Sequence, residues 1–442
     1  MEPSFLQILI CLLLSIAVIV VLTARFRVHA FFALFIACFI VGLGVQIPMS
    51  NLITIIKDGF GNIMKSLGLV IILGTTLGVL LEQTGSTNVM ASYILKKTGE
   101  RRSALAMSIT GFIIGMPLFC DSGYIVLSGL NKSLAKRTGI SLAIMSGSLA
   151  TGLYSVHCLI PPHPGASTAA GLLGVDFGKL ILTGIIIALP AAIAGYVWSR
   201  YGGKNSSGIT EEEHVIVKKN IQEPTVVKAF LPVIVPILLI ASRSFFDISA
   251  GAEQSGLAKL LILGDPVIAL SIGVMLAFNC MRPWKKASVS FLLHEGVEKA
   301  GSILVIIGGG GAFGAVLAAT KIGEHFSQVL PLGTLGILFP FLLTFILKTA
   351  QGSSTVAIIT AASIVLPLLP ALGLDNENGR MFSVLSMGAG SMMISHANDA
   401  YFWVIAKFSG LDMKTMLRVY SIATIIMGLS SLLIIYLIRP LF

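Results

Sequence analysis

Residues Lys348–Thr355 form a polar stretch between two long apolar runs. They include a lysine, a glycine and three consecutive hydroxyl residues, none of which a lipid-facing helix requires. In hydrocarbon every backbone polar group must be satisfied within the protein, so such a break survives only where it is buried or lines a wet cavity. Ammonium, hydroxyl and helix N-terminal N–H groups are donors suited to a carboxylate. We therefore predict that this stretch binds an anionic substrate.

Two alternatives stay open for this stretch. In the first, Lys348 forms an ion pair with Asp121 or Asp399 and does not meet the substrate. In the second, the hydroxyl groups only satisfy the interrupted backbone.

An aspartate occupies a second polar break, at Phe119–Tyr124. An ionisable residue inside a membrane segment indicates a functional site. We predict that Asp121 carries the coupling proton and that the neighbouring Ser122 contacts the substrate. The alternative for Asp121 is a structural one, because an aspartate at this position can cap the helix that follows. The two roles are compatible.

Two further breaks contain histidines. The first, at 157–165, includes adjacent prolines, which remove N–H donors and stop a helix. The second lies at 395–401. Their donors and acceptors suit a polyhydroxylated ligand or a proton relay, and the alternative for each histidine is a satisfied residue of the core. The residues singled out at these breaks are His163, His396, Asn398 and Asp399.

Several motifs of other protein classes are missing or out of context. The chain has no HExxH, GxSxG or P-loop motif, so neither a metalloprotease, a serine hydrolase nor an ATP-driven pump is supported. Gly309–Gly314 matches the dinucleotide pattern, but it lies in an apolar run and is interpreted as close helix packing. The five cysteines form no CxxC pair and are interpreted as packing residues. We predict no catalytic residue, no metal and no cofactor.

These interpretations give two sets of predicted site residues. The predicted substrate-binding residues are Lys348, Gly352, Ser353, Ser354, Thr355, Ser122, His163, His396 and Asn398. The predicted proton-coupling residues are Asp121 and Asp399.

The composition identifies a polytopic membrane protein. The 442 residues are 55% hydrophobic and 11% charged, with a mean hydropathy of +0.93, whereas about 25% of residues are charged in soluble domains. The net charge of +10 is scattered between apolar runs and forms no single patch, which argues against a nucleic-acid partner. The first apolar run lacks a basic n-region and a cleavage site, so it is interpreted as a retained span.

A long hydrophilic loop divides the chain into a first repeat at 1–200, a cytoplasmic linker at 201–225 and a second repeat at 226–442. A span needs about 20 mainly apolar residues. The simple spans predicted on this basis are 5–23, 30–46, 63–81, 178–199, 226–246, 258–281, 300–319 and 419–438.

Four apolar segments are interrupted by polar residues. We interpret 103–134 and 332–370 as re-entrant hairpins, and 140–174 and 380–408 as single broken spans. The chain then crosses the membrane about ten times. With both termini outside, most lysines and arginines lie in cytoplasmic segments, as the positive-inside rule requires.

Three landmarks recur in the same order in the two halves. They are Gly74-x-x-x-Gly78 with Gly310-x-x-x-Gly314, the break at 119–123 with that at 352–355, and Thr151–His157 with Gly390–His396. Because five spans is an odd number, the second half is inverted. The predicted fold is an all-α polytopic membrane protein of two inverted repeats, each with about five spans, one re-entrant hairpin and broken core helices. In such transporters the site lies between the hairpin tips.

Five segments resemble the gluconate permease (GntP-type) family of proton symporters. They are Ile160–Gly165, Leu263–Val267, Ile307–Phe313, Gly352–Ala357 and Ser395–Asp399, in the order of the family and over nearly the whole chain. The resemblance implies import of a sugar acid, such as gluconate or a related aldonate or hexuronate, by proton symport across the bacterial inner membrane. The larger superfamily implies a homodimer with an elevator-type mechanism. The expected partners are a small organic anion, the coupling proton and membrane lipids.

The chain departs from the family pattern at two of the polar breaks, Phe119–Tyr124 and Lys348–Thr355. It has Asp121-Ser122-Gly123-Tyr124 where relatives have Glu-Val-Gly-Phe, and Lys348 where some have arginine. Lysine cannot offer a carboxylate the bidentate fork of arginine. The substrate therefore stays open among sugar acids, glycerate and D-serine, and sodium coupling stays open beside proton coupling. An intramembrane enzyme with an Asp/His pair and a passive channel are the alternatives from other classes.

Overall fold

The computed structural model describes residues 4–204, 223–245, 261–280, 286–322, 332–397 and 399–441. Within these ranges the chain folds into helices, turns and loops, without a β-strand. The first half contains α1 (Phe5–Val20), α2 (Ala30–Gly44), α3 (Met49–Gln83), α4 (Ser86–Thr98), α5 (Ser103–Gly115), α6 (Cys120–Thr138), α7 (Leu142–Leu159), α8 (Pro164–Leu173) and α9 (Phe177–Gly202).

The second half begins after a linker of which 205–222 lie outside the described residues. It contains α10 (Val226–Phe245), α11 (Pro266–Phe278), α12 (Lys286–Ala319), α13 (Leu338–Gln351), α14 (Ser354–Val365), α15 (Glu377–Met392), α16 (Ala400–Ser409), α17 (Met413–Met416) and α18 (Ile422–Ile438).

Seven helical stretches in the described part of the chain are long and apolar enough to cross a membrane. They are Phe5–Thr23, Met49–Gln83, Leu142–Leu173, Phe177–Gly202, Val226–Arg243, Ser288–Ala319 and Met413–Leu441. The predicted spans at 30–46 and 258–281 correspond to the shorter apolar helices α2 and α11. The helices α3 and α12 are much longer than the spans predicted within them. At 1.5 Å per residue each extends about 50 Å, well beyond a hydrocarbon core of about 30 Å.

The helices α3 and α12 pack closely through glycines. A Cβ atom on Gly311 would lie 2.6 Å from the carbonyl oxygen of Gly59, and one on Gly59 would lie 2.7 Å from that of Gly311. The neighbouring Gly310 accepts a hydrogen bond of 2.7 Å from Ser363 Oγ on α14. The glycine-rich run therefore serves close packing of helices, as its apolar context predicted.

Each predicted interrupted segment contains a helix break. The breaks separate α5 from α6, α7 from α8, α13 from α14 and α15 from α16. The break after α13 depends on Gly352, whose φ of +80° favours glycine and whose N–H bonds to Lys348 O at 2.8 Å. Ser353 then caps α14 by accepting a 3.3 Å hydrogen bond from the N–H of Val356. Glycine and a capping serine thus end one helix and start the next.

The start of α5 and the end of α6, which are the ends away from the break between these helices, lie side by side. Ser103 Oγ donates a hydrogen bond of 3.4 Å to Thr138 Oγ1, and Glu100 forms an ion pair with Arg137. The break between these helices therefore lies at the opposite end of the pair. With 13 residues, α5 is about 20 Å long, which is too short to cross a bilayer.

Replacing Gly152 by alanine should destabilise the packing of α5 on α7. A Cβ atom at this position would lie 2.2 Å from the carbonyl oxygen of Ser108 and 3.1 Å from the N–H nitrogen of Phe112. Overpacking of this kind costs about 1–3 kcal/mol, so we expect a lower melting temperature of the purified protein. The matched control is Gly68→Ala, because no atom lies within 4 Å of a Cβ there. Equal melting temperatures for the two variants would contradict the tight contact.

Candidate functional site

A cavity of about 380 Å³ lies between the α5–α6 break and the α13–α14 break. Its wall combines the residues at both breaks with the start of α16 and one face of α12. The polar residues of the lining are Asp121, Ser122, Tyr154, His157, Lys299, Ser302, Ser353, Ser354, Thr355, Asp399 and Tyr401. Segments distant in sequence thus supply one polar pocket.

Four helices begin at this cavity. Their first residues, Cys120 of α6, Pro164 of α8, Ser354 of α14 and Ala400 of α16, all line it. Each helix N-terminus carries roughly half a positive charge and exposes N–H groups without an intrahelical partner. Four of them amount to about two positive charges, which favours an anion in the cavity.

Two of these four N-termini are already capped by side chains. Ser353 caps α14, and Asp399 caps α16 by accepting a 2.9 Å hydrogen bond from the N–H of Tyr401. The N-cap residues of α6 and α8, Phe119 and His163, make no side-chain capping bond. The N–H groups that can meet a ligand anion are therefore those at the starts of α6 and α8.

Two buried polar atoms of the lining have no hydrogen-bond partner among the described residues. They are Oδ1 of Asp121 and Nδ1 of His157. An unpaired buried polar group costs about 1–3 kcal/mol. A ligand that supplies donors or acceptors at these two atoms would therefore be stabilised, which fits a binding site better than a structural core.

Lys348 forms a buried ion pair with Asp399. Its Nζ lies 3.0 Å from Asp399 Oδ2, and the two side chains are 0% and 8% exposed. This is one of the ion pairs left open by the sequence. Lys348 does not line the cavity, whereas Asp399 does. Since Lys348 neutralises Asp399, Asp121 is the lining carboxylate without an ion-pair partner in the described part of the chain.

Ser395 connects the ion pair to the C-terminal helix. Its Oγ is hydrogen-bonded to Asp399 Oδ2 and its carbonyl oxygen accepts a bond from Ser421 Oγ. Its N–H donates to Thr424 Oγ1 at 3.1 Å. The loop between α15 and α16 is thereby held against the segment that leads into α18, which fixes the position of Asp399.

Sequence comparison shows the family of this chain. The sequence profile of the GntP family permeases matches residues 7–441. The chain belongs to the GntP permease family. It is 32% identical to a gluconate permease of Pseudomonas aeruginosa, with 96% of each chain covered. It is 30% identical to the D-serine transporter DsdX of Escherichia coli, covering 95% of this chain and 96% of DsdX. As a member of this permease family with several membrane-spanning segments, and similar to an inner membrane permease of Escherichia coli, it is a permease of the inner membrane and not an enzyme.

Two solved structures share the fold of this GntP-family permease. The YdaH transporter of Alcanivorax borkumensis superposes with a TM-score of 0.59, at 14% identity and with 89% of this chain and 90% of that chain covered. MtrF of Neisseria gonorrhoeae, described among antimetabolite efflux pumps, superposes with a TM-score of 0.63 at 16% identity. The superposition covers 88% of this chain and 84% of MtrF. The architecture of the GntP-family permease is thus that of known transporters.

The structure brings most predicted site residues of the permease together and separates others. The predicted residues that line the cavity are Asp121, Ser122, Gly352, Ser353, Ser354, Thr355 and Asp399. Lys348 lies behind the wall, and His396 is half-buried outside the lining. His163 is a buried residue bonded to the carbonyl oxygen of Gly115 at 2.6 Å, the satisfied-core alternative. Asn398 lies outside the described residues.

Three kinds of lining residue were missed by the sequence predictions. His157, which lies at a predicted break but was left out of the predicted site residues, lines the cavity in place of His163, its ring centroid 4.7 Å from that of His163. Tyr154 and Tyr401 supply two walls, with ring centroids 5.7 Å apart. Lys299 lies within the long helix α12, paired with Glu295 at 2.8 Å. The four-residue spacing of Glu295 and Lys299 was the available signal, because it places both on one helix face.

Proposed function

We propose that this permease imports a small sugar acid, gluconate or a related aldonate or hexuronate, by proton symport. The observation that carries the proposal is the cavity at which four helices begin, with the carboxylate of Asp121 in its wall. The helix N-termini suit the substrate carboxylate, while hydroxyl-bearing and imidazole side chains suit its hydroxyl groups. The names of several relatives agree, among them the high-affinity gluconate transporter of Escherichia coli at 29% identity, covering 96% of this chain and 97% of that transporter.

In this proposal Asp121 carries the coupling proton. When it is protonated, the cavity holds about two positive charges from the helix N-termini and a neutralised Asp399. A substrate anion then enters a site of opposite sign. Loss of the proton adds a negative charge to the wall and weakens binding of the anion. Binding of the substrate is thereby coupled to binding of the proton.

The same proposal assigns roles to the other predicted site residues. Ser122 and the tip residues from Gly352 to Thr355 contact the substrate directly. Lys348 meets the carboxylate when its pair with Asp399 opens, and Asp399 shares in the proton coupling. His396 and Asn398 are proposed to contact the substrate in other states of the transport cycle. His163 could do so only after its bond to the carbonyl oxygen of Gly115 opens.

We also propose that α5–α6 and α13–α14 are re-entrant hairpins of two inverted repeats, which move with the core in an elevator-type cycle of a homodimer whose termini lie outside. Support comes from three short helices. The helices α5, α13 and α14 have 13, 14 and 12 residues, respectively, and each is too short for a span. Further support comes from the meeting of both tips at one cavity.

D-Serine is the second candidate substrate. The observation that favours it is Asp121, a carboxylate in the cavity wall without an ion-pair partner in the described part of the chain, since an ammonium group would pair with it. The carboxylate of the same amino acid would meet the N-termini of α6 and α8. The similarity to a D-serine transporter at 30% identity supports this alternative.

A thermal-shift panel on the purified permease should separate these substrates. We expect gluconate to raise the melting temperature, because a ligand at 100 times its Kd stabilises the folded state by about 2.7 kcal/mol. Sorbitol, with similar hydroxyl groups but no carboxylate, is the matched control and should have no effect. D-Serine and L-serine are compared in the same way. The sugar-acid proposal is wrong if D-serine stabilises the protein and no sugar acid does.

A further inference from the structure

A second cavity, of about 680 Å³, lies at the start of α5 and the end of α6, at the opposite end of this helix pair from the α5–α6 break. Its wall includes the loop before α5, the end of α6, the start of α7, the end of α9 and the end of α16. Five basic residues line it, and no aspartate or glutamate does. The basic residues are Arg101, Arg102, Lys136, Arg200 and Lys204.

None of these five cations forms an ion pair with an acidic residue in the described part of the chain. Glu100, in the loop before α5, forms an ion pair with Arg137, and neither residue lines the cavity. Arg200 is held over the ring of Tyr196, with its Cζ 6.0 Å from the ring centroid, and donates a 3.4 Å hydrogen bond to the tyrosine oxygen. This contact places one guanidinium at the wall and leaves its charge unneutralised.

The helix ends around the cavity do not offset the charge. Two helices, α5 and α7, begin there and three, α6, α9 and α16, end there. With roughly half a charge at each end, the dipoles contribute about half a negative charge in total, against five positive side chains. The start of α7 also brings N–H groups, and Ser141 caps only that of Ala143, at 3.3 Å. The cavity is therefore strongly positive and carries donors from side chains and backbone.

We propose that this cavity binds a phosphate group. Guanidinium forks match phosphate oxygens bidentately, lysines add point charges, and a helix start adds backbone donors. A bound phosphate would connect the ends of α5 and α6 to α9 and α16. On the transport mechanism proposed above, it would hold the base of the first hairpin and so regulate its movement. The phosphate belongs either to an anionic lipid headgroup or to a soluble phosphate compound.

Thermal stability of the full-length permease in a neutral detergent tests the site. Inorganic phosphate, compared with chloride at equal ionic strength, probes the soluble source. Mixed micelles with phosphatidylglycerol, compared with phosphatidylcholine, probe the lipid source. We expect one of the two phosphate arms to raise the melting temperature. Stabilisation by inorganic phosphate assigns a soluble ligand, and stabilisation by phosphatidylglycerol alone assigns a lipid headgroup.

Charge-removing variants locate the effect. Lys136→Gln/Arg200→Gln removes one cation from each side of the cavity. The concentration of phosphate or phosphatidylglycerol that gives half of the stabilisation should rise about tenfold or more in this variant. Lys57→Gln/Lys65→Gln removes two exposed cations of α3 outside this cavity and should leave the response unchanged. No stabilisation in either arm, or equal responses in the two double variants, overturns the proposal. Gluconate stabilisation is measured in the same samples, so failure of the phosphate site is distinguishable from failure of the transport function.

Discussion

Replacing Lys348 by alanine is expected to abolish uptake while the protein stays in the membrane. The substitution leaves Asp399 buried without its cation, and breaking a buried pair in this way costs about 3–5 kcal/mol. Asp399 also caps α16 and lines the cavity, so a displaced carboxylate disturbs the site directly. Uptake of labelled gluconate into cells, with the membrane level measured by immunoblot, checks the result. Normal uptake would disprove any role for Lys348 in transport.

A double variant separates the two roles that Lys348 can have. In Lys348→Ala/Asp399→Asn the uncompensated charge is gone, and asparagine still caps the helix. If Lys348 contacts the substrate carboxylate, the double variant regains its melting temperature but does not exchange gluconate across liposomes. If Lys348 only neutralises Asp399, exchange returns as well, since exchange needs no net proton movement and is independent of the coupling role proposed for Asp399. Lys57→Ala, which removes an exposed lysine of α3, is the matched control and should transport normally.

The helix breaks were predictable because their causes are local. Gly352 takes a left-handed φ and Ser353 caps the next helix, so both ends of that break follow from residue types at known positions. The length of the helices was less predictable. Hydropathy marks the part of a helix that lies in hydrocarbon, whereas α3 and α12 continue into polar sequence whose residues still favour a helix.

The partners of the polar residues depended on tertiary packing, which a single sequence does not determine. Lys348 had two candidate acids, and the pair with Asp399 joins residues 51 positions apart. His163 and His157 lie at the same break, but His163 turns towards the carbonyl oxygen of Gly115 and His157 faces the cavity. The convergence of four helix starts was also missed, because only the start of α14 was recognised as an anion site.

Replacing Asp121 by asparagine should uncouple transport from the proton gradient without removing the site. Asparagine keeps the size and much of the hydrogen bonding of aspartate but cannot change its charge by releasing a proton. We expect the wild-type protein in liposomes to accumulate gluconate when a pH gradient is imposed, to stop when a protonophore is added, and to be unaffected by removal of sodium. Asp121→Asn should accumulate no more than protein-free liposomes under the same gradient.

Exchange of substrate across the same liposomes shows whether the variant still binds and moves its substrate. If Asp121 carries the proton, Asp121→Asn still exchanges internal for external gluconate, since exchange needs no net proton movement. The matched control is Asp265→Asn, which alters a half-buried aspartate paired with Arg243 outside the cavity and preserves a helix cap. Accumulation by Asp121→Asn that still responds to the pH gradient would place the coupling proton elsewhere. Asp399, the other acid of the cavity wall, would then be the proton carrier, released from Lys348 as the substrate carboxylate replaces it.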